Sequence, residues 1–234
     1  MLRQIFLDTE TTGLEIREGN RIIEIGCVEM IDRKLTGNNY HQYIKVDRES
    51  EEGALKVHGI TTEFLADKPY FNDISIAFLD YVKGSELIIH NAPFDVGFIN
   101  NEFSLLTGIK NLESYCEISD SLVLARQIHP GQRNSLDALC KRYDIKNEHR
   151  QLHGALLDSE ILADVYLAMT GGQTDLLLGD EAMGNNALHS GTTFKLVSSE
   201  REGLKVIEAN SAEMDAHQAY LKDIEEASGK NLWN

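Results

Sequence analysis

Acidic side chains occur at four places in this sequence where the neighbouring residues predict a structured, partly apolar setting. Asp8 and Glu10 follow the apolar stretch 5–7, and their spacing of two residues places both carboxylates on one side of a strand. Asp95 and Asp158 each have apolar residues three and four positions later, so each shares the face that a helix would bury. A carboxylate in such a place must be paired or bind a metal ion.

Each of these residues, taken alone, also has an ordinary explanation. Asp8 and Glu10 could lie at a solvated junction between a strand and a loop, and Asp95 could be an acid favoured in the first turn of a helix. His153 precedes Asp158 by five residues, which is about 140° around a continuous helix. The two side chains can therefore serve one site only if His153 lies in the loop before the helix, where an ordinary loop histidine is the alternative.

Taken together, the four acids are explained most economically by hard divalent cations, because carboxylate-rich, sulfur-free sites suit Mg²⁺ or Mn²⁺. Two such ions would polarise a phosphate and ionise a water molecule. A neutral histidine beside them could accept the proton of that water. The sequence therefore indicates metal-dependent hydrolysis of a phosphate ester, with Asp8, Glu10, Asp95, Asp158 and His153 as the candidate residues.

The net charge restricts how such an enzyme could meet a nucleic acid. The chain of 234 residues has 22 Lys+Arg against 38 Asp+Glu, which gives a net charge of −16. A protein that grips phosphates through Lys and Arg should be basic, so this chain would repel DNA at long range. Bound cations or a partner protein must supply positive charge if DNA is the substrate.

Composition excludes several other classes of protein. Hydrophobic residues make up 42% and charged residues 26% of the chain, which excludes collagen-like and fully disordered proteins. No apolar run approaches the roughly 18 residues of a membrane span, and the acidic N-terminal segment is not a secretory signal. Three scattered cysteines indicate reduced thiols and no disulfide framework. We expect a cytoplasmic protein.

Hydrophobic periodicity predicts an α/β fold that could position the acids. Three leading strands are followed by alternating helices and strands, which indicates a sheet with helices packed on it. The predicted strands span 4–8, 21–31, 40–46 and 86–90, and the predicted helices span 73–83, capped by Asp73, 93–106, a stretch from an Asn134 cap, and 155–169.

The regular pattern ends at the glycine pair 171–172. We expect a first domain over 1–170, a linker over 171–209 rich in Gly, Ser, Thr and Asn, and a C-terminal segment over 210–234. Asn210 and Glu213 form a capping-box signal for a short amphipathic helix in that last segment.

Three segments resemble the exonuclease motifs of the DnaQ-like, DEDDh-type 3′–5′ exonucleases, in the family's order. They are Asp-Thr-Glu-Thr-Thr-Gly-Leu at 8–14, His-Asn-Ala-Pro-Phe-Asp at 90–95, and His-Gly-Ala-Leu-Leu-Asp at 153–158. The resemblance implies a ribonuclease H-like mixed sheet flanked by helices. It also implies that two divalent cations, Mg²⁺ or Mn²⁺, are held by Asp8, Glu10, Asp95 and Asp158, with His153 as general base. By the same resemblance, residues Thr11, Leu14, His58 and His90 would cradle the terminal nucleotide.

The C-terminal part of the chain favours one group within the family. Members that act as free RNA exonucleases end near the last helix, whereas this chain continues. Residues 173–178 resemble a sliding-clamp-binding peptide anchored by Gln173, Leu176 and Leu178, although a leucine run closing the last helix is an equal alternative. Leu232 and Trp233 close a segment, 210–234, that is typical of a tether.

The tail resembles that of members that proofread for a bacterial replicative DNA polymerase. This implies four partners: the DNA 3′ end, the catalytic (alpha) subunit through 210–234, the sliding clamp, and a small accessory (theta-like) subunit. The alternatives are an RNA 3′–5′ exonuclease of the ribonuclease T or oligoribonuclease type, and a non-catalytic subunit that stabilises the polymerase.

Overall fold

A computed structural model describes residues 2–146, 152–171 and 209–229. The first two ranges belong to one compact unit and the third belongs to another. The predicted clamp-binding residues Gln173, Leu176 and Leu178, nearly all of the predicted linker, and the terminal Trp233 lie outside the described residues.

A mixed sheet forms the centre of the first unit. Its strands are β1 (Arg3–Thr11), β2 (Ile22–Ile31), β3 (Lys34–Leu35), β4 (Tyr40–Tyr43), β5 (Glu86–Ile89) and β6 (Glu117–Asp120). The strand order is β3-β2-β1-β5-β6, and β4 pairs with β2. β1 runs antiparallel to β2 and parallel to β5, and β5 runs parallel to β6. The carboxyl ends of β1, β5 and β6 therefore meet at one edge of the sheet.

Helices cover both faces of this sheet. In chain order they are α1 (Glu52–His58), α2 (Thr62–Leu65), α3 (Phe71–Val82), α4 (Ala92–Ser104), α5 (Ser121–Ile128), α6 (Leu136–Tyr143) and α7 (Ala155–Gly171). α3 and α4 pack with Ile5 and Leu7 on one face. α7 packs with Phe6 on the other face, because successive side chains of a strand alternate. The predicted α/β sheet flanked by helices is confirmed.

Two predicted helix caps are wrong by one to three residues. α3 begins after Tyr70, and Asp73 instead accepts a hydrogen bond from the Tyr70 backbone N–H at 3.0 Å from within the first turn. α6 is capped by Ser135, whose Oγ accepts from the Ala138 N–H at 3.4 Å. Asn134 does not serve as the cap, because its Oδ1, the atom that would accept from the first turn, accepts instead from Arg142 Nη1 at 3.0 Å.

The third predicted strand is shorter than expected. β4 ends at Tyr43 and not near Val46, because the Lys45 N–H donates to the Pro69 carbonyl at 2.8 Å and so leaves the sheet. The strands β3 and β6 and the helices α1, α2 and α5 are not among the predicted elements.

The second unit contains the helix α8 (Ser211–Ser228). Its capping box forms as predicted: Asn210 Oδ1 accepts from the Glu213 N–H at 3.0 Å, and Glu213 Oε2 accepts from the Asn210 N–H at 2.9 Å. Gly229 ends the helix with a φ of 68°. Among the described residues, no helix has both the length and the apolar character to cross a membrane.

Candidate active site

The end of β1 directs acidic side chains toward α7. Phe6 packs on the α7 side of the sheet, so Asp8 and Glu10 continue along the same face. Asp8 is partly buried and Glu10 is 9% exposed. The pairing of β1 with β2 shifts register between Glu10 and Thr11, which ends the regular ladder directly after the second acid.

A glycine on β2 lets the start of α7 approach these acids closely. Gly26 lies opposite Asp8 in the antiparallel pair. A Cβ atom at Gly26 would lie 2.1 Å from the Leu156 nitrogen, so any larger residue would push the helix away. Ser159 Oγ also donates to the Gly26 carbonyl at 2.9 Å. This contact places Asp158, which is 3% exposed, against the end of β1.

His153 lies just before α7, which begins at Ala155, so the condition for a shared site with Asp158 is met. Its Nδ1 is 3.2 Å from Asp158 Oδ2. Its backbone N–H donates to the Val57 carbonyl at 3.0 Å, which fixes the loop. Ligand atoms of Glu10, His153 and Asp158 all lie within 4.8 Å of one another. Three of the five candidate catalytic residues therefore converge and form an acidic group that could hold a metal ion.

Asp95 approaches from the opposite face of the sheet. It lies in the first turn of α4, and Thr9 Oγ1, from between the two acids of β1, donates to Asp95 Oδ1 at 2.7 Å. Burial raises the pKa of Asp95 to about 7, against the lowering effect of the Thr9 hydrogen bond. A carboxylate that burial disfavours in its charged form fits a cation site, because a bound cation would stabilise the ionised group.

Replacing Asp95 with asparagine should stabilise the metal-free protein at pH 8. The folded state holds the Asp95 proton up to about pH 7, whereas the unfolded chain releases it near 3.8, so stability is lost as pH rises between these values. Asparagine keeps the Thr9 hydrogen bond and carries no charge. We expect a gain on the order of 1–3 kcal/mol, or roughly 3–10 °C in Tm, measured by thermal unfolding with chelator.

The exposed Asp80 on α3 supplies the matched control, because Asp80→Asn removes a solvated charge and should leave Tm within about a degree. A metal-free Asp95→Asn protein less stable than the wild type at pH 8 would contradict the electrostatic origin of this effect.

A cavity of about 420 Å³ opens beside Glu10. The residues that line this cavity include three of the four expected nucleotide contacts, which are Thr11, Leu14 and His58. Leu14 is 74% exposed at the rim, while His58 is buried and its Nδ1 accepts from the Ile60 N–H at 2.9 Å. Burial lowers the pKa of His58, which favours its neutral ring. The remaining wall includes Glu51, Val57 and Phe94. Phe94 belongs to the motif at 90–95, whereas no sequence signal distinguished Glu51.

His90, the fourth expected nucleotide contact, does not line this cavity. Its two ring nitrogens lie 2.9 Å from Ser121 Oγ and 2.9 Å from the Asn134 carbonyl. The ring thus joins the end of β5 to the loop before α6, and burial lowers its pKa. Contact between His90 and a nucleotide stays a prediction.

Comparison with known proteins assigns the family. Residues 5–166 match a family model described as an exonuclease. The chain belongs to this exonuclease family. The matched range contains all four acids and His153, so the whole converging site lies within the family's own domain.

Close relatives extend the similarity through the tail. The DNA polymerase III subunit epsilon of Escherichia coli (strain K12) is 50% identical, over 99% of this chain and 97% of the relative. The proteins of the same name from Salmonella typhimurium and Pasteurella multocida are 51% and 52% identical, each over 99% of this chain and over 97% and 93% of their own lengths.

Solved exonuclease structures share the fold of the first unit. Exonuclease X in complex with 5′ overhanging duplex DNA matches with a TM-score of 0.57 and 30% identity, over 73% of this chain and 92% of that one. Cell-death related nuclease 4 matches with a TM-score of 0.60 at 13% identity, over 72% and 64% of the two chains, and this likeness concerns the fold alone. The ribonuclease H-like fold of this family is thereby confirmed.

Proposed function

We propose that this protein is the 3′–5′ exonuclease of a DNA polymerase III, removing mispaired 3′-terminal nucleotides from DNA. The observation that carries the proposal is identity of about 50% with epsilon subunits over 99% of the chain, tail included. The convergence of Glu10, His153 and Asp158 supports the enzymatic part, since a purely stabilising subunit would have no need of it.

Asp8, Glu10, Asp95 and Asp158 are proposed to hold two divalent ions, Mg²⁺ or Mn²⁺. When bound, such ions neutralise the scissile phosphate and make water a nucleophile at neutral pH. His153 is proposed to accept the proton of the attacking water, and its side chain, 42% exposed, can pass that proton to solvent. The cavity lined by Thr11, Leu14 and His58 would bind the terminal nucleotide and exclude water from it.

The proposed partners explain how so acidic a nuclease reaches DNA. Residues 210–234 are proposed to bind the alpha subunit, and Gln173, Leu176 and Leu178 the sliding clamp, with a theta-like protein as a further partner. Tethering raises the effective concentration of the nuclease at the DNA 3′ end, so the acidic chain does not depend on long-range electrostatic attraction to DNA. The protein is proposed to act in the cytoplasm, in keeping with relatives that are subunits of a bacterial DNA polymerase III.

An assay on matched substrates tests the proposal against its alternatives. The purified chain should degrade mispaired DNA ends faster than paired ends, and chelation should stop the reaction. A preference for RNA would favour the ribonuclease T or oligoribonuclease type, and inactivity on every substrate with Mg²⁺ or Mn²⁺ would favour a stabilising subunit.

Deleting residues 180–234 should separate catalysis from assembly. All the candidate catalytic residues precede residue 159, while α8 exposes Met214 (46%) and Tyr220 (66%) in the part of the chain that this deletion removes. We expect wild-type hydrolysis of free DNA within about twofold, and loss of co-purification with the alpha subunit.

The double variant Leu221→Ala, Trp233→Ala should reproduce the loss of binding, and the exposed Lys222→Ala in the same helix is its control. If the truncated protein still bound the alpha subunit at wild-type affinity, the interface would belong to the exonuclease domain.

A further inference from the structure

One segment of this acidic chain is basic. Residues 126–146 contain five basic residues and only two acidic ones, whereas the whole chain has a net charge of −16. The five are Arg126, Arg133, Lys141, Arg142 and Lys146, and together we term them the basic face.

Four of the five cations of the basic face are available to a ligand. Four of them are exposed, and Arg142 is partly buried. Within the described residues, none of the five forms an ion pair with a carboxylate, unlike Arg3 with Glu29 or Arg21 with Glu102. Charges left unpaired in a protein that is otherwise strongly negative are suited to an anionic partner.

The basic face lies on the elements that flank the carboxylate site. α5 and α6 pack through Ala125, Leu139 and Cys140 against α7, the helix that carries Asp158. β5 runs parallel to β1, so His90 at its end lies at the same edge of the sheet as Glu10. The hydrogen bond from His90 to the Asn134 carbonyl holds the loop before α6 at that edge.

The same loop is held rigidly from its other side. Arg142 donates to Asn134 Oδ1 at 3.0 Å and to the Arg133 carbonyl at 2.8 Å, and Asn134 donates to the carbonyls of His129 and Gln132. Arg133 is therefore presented from an ordered backbone, which lowers the entropy cost of binding.

We infer that the basic face binds the phosphate backbone of the DNA strand that leads to the 3′-terminal nucleotide. The inference rests on the proposed exonuclease function. The carboxylate site and its metal ions act on one scissile phosphate, and the preceding phosphates of the strand need a separate source of positive charge. Lysine and arginine supply it by displacing condensed counterions, without reading the base sequence.

The test compares two triple variants of the full chain with the same change in charge. Arg126→Gln, Arg133→Gln, Lys141→Gln removes three exposed charges of the basic face and leaves the loop-holding Arg142 in place. Lys34→Gln, Lys83→Gln, Lys110→Gln removes three exposed lysines near the opposite end of the sheet. Both are assayed on a long single-stranded oligonucleotide and on the p-nitrophenyl ester of thymidine 5′-monophosphate, which has no preceding phosphates.

We expect the basic-face variant to raise KM for the oligonucleotide roughly tenfold. The steepness of the fall of log(kcat/KM) with log[salt] should decrease by about 2, because each of the three lost phosphate contacts contributes ~0.7 to that slope on a single strand. Its hydrolysis of the ester should equal that of the wild type, and the control variant should match the wild type on both substrates. Equal KM and slope in the two triple variants would overturn the inference.

Binding of a fluorescent oligonucleotide in chelator, at low salt, provides a readout that needs no catalysis. The basic-face variant should bind about tenfold more weakly than the control variant. A wild-type protein that hydrolysed neither substrate would refute the proposed function. The difference in Kd between the basic-face variant and the control variant would still test the inference, because binding in chelator does not require hydrolysis.

Discussion

The substitution Glu10→Gln should abolish nuclease activity and leave the fold intact. Glu10 offers one of three ligand atoms that converge within 4.8 Å, and glutamine keeps its shape but removes the charge that would hold a divalent ion. Loss of metal catalysis removes several kcal/mol of transition-state stabilisation, so kcat on DNA should fall by about 10³-fold or more. Single-turnover hydrolysis in saturating Mg²⁺ measures the loss.

Stability provides the independent check on this variant. Removing one carboxylate from a cluster of like charges relieves repulsion, so metal-free Tm should stay equal or rise slightly. Glu117→Gln, at the exposed start of β6, is the matched control and should keep full activity. Near wild-type turnover in Glu10→Gln would refute the assignment of Glu10 as a metal ligand.

Replacing His153 with alanine should slow hydrolysis by roughly 10²–10⁴-fold, which is the range for loss of a general base. His153 Nδ1 lies 3.2 Å from Asp158 Oδ2, in the loop that the Val57 carbonyl holds. Affinity for Mn²⁺ should change far less than kcat if the four carboxylates are the ligands. The two effects are measured by single-turnover kinetics and by metal titration.

The pH profile distinguishes a base from a merely structural histidine. A protonated imidazole cannot accept a proton, so the wild-type rate should fall toward acid pH on a limb that the alanine variant lacks. His217→Ala, on the exposed surface of α8, should keep both rate and profile. If His153→Ala retained the wild-type acid limb, another group would be the base.

Local patterns predicted the parts of the fold that depend on neighbouring residues alone. β1, β2, β5, α4 and α7 are rich in apolar residues, and their observed bounds lie within three residues of those expected. The caps of α3 and α6 differ from the expected ones because Asp73 accepts from the Tyr70 N–H from within the first turn, and because Asn134 Oδ1 accepts from Arg142 and not from the α6 backbone. β6 and α5 span only four and eight residues, and they pack against β5 and α7.

The sequence by itself determined which residues could perform the chemistry, because three motifs with fixed spacing set the residue types and their order. Only the tertiary structure decided which of them meet. The close approach of α7 at Gly26 brings Asp158 and His153 to Glu10, and Thr9 links Asp95 to the same strand from the other face. The same folding turned His90 toward Asn134 and away from the cavity. These outcomes depend on contacts between residues far apart in the chain, which no local pattern encodes.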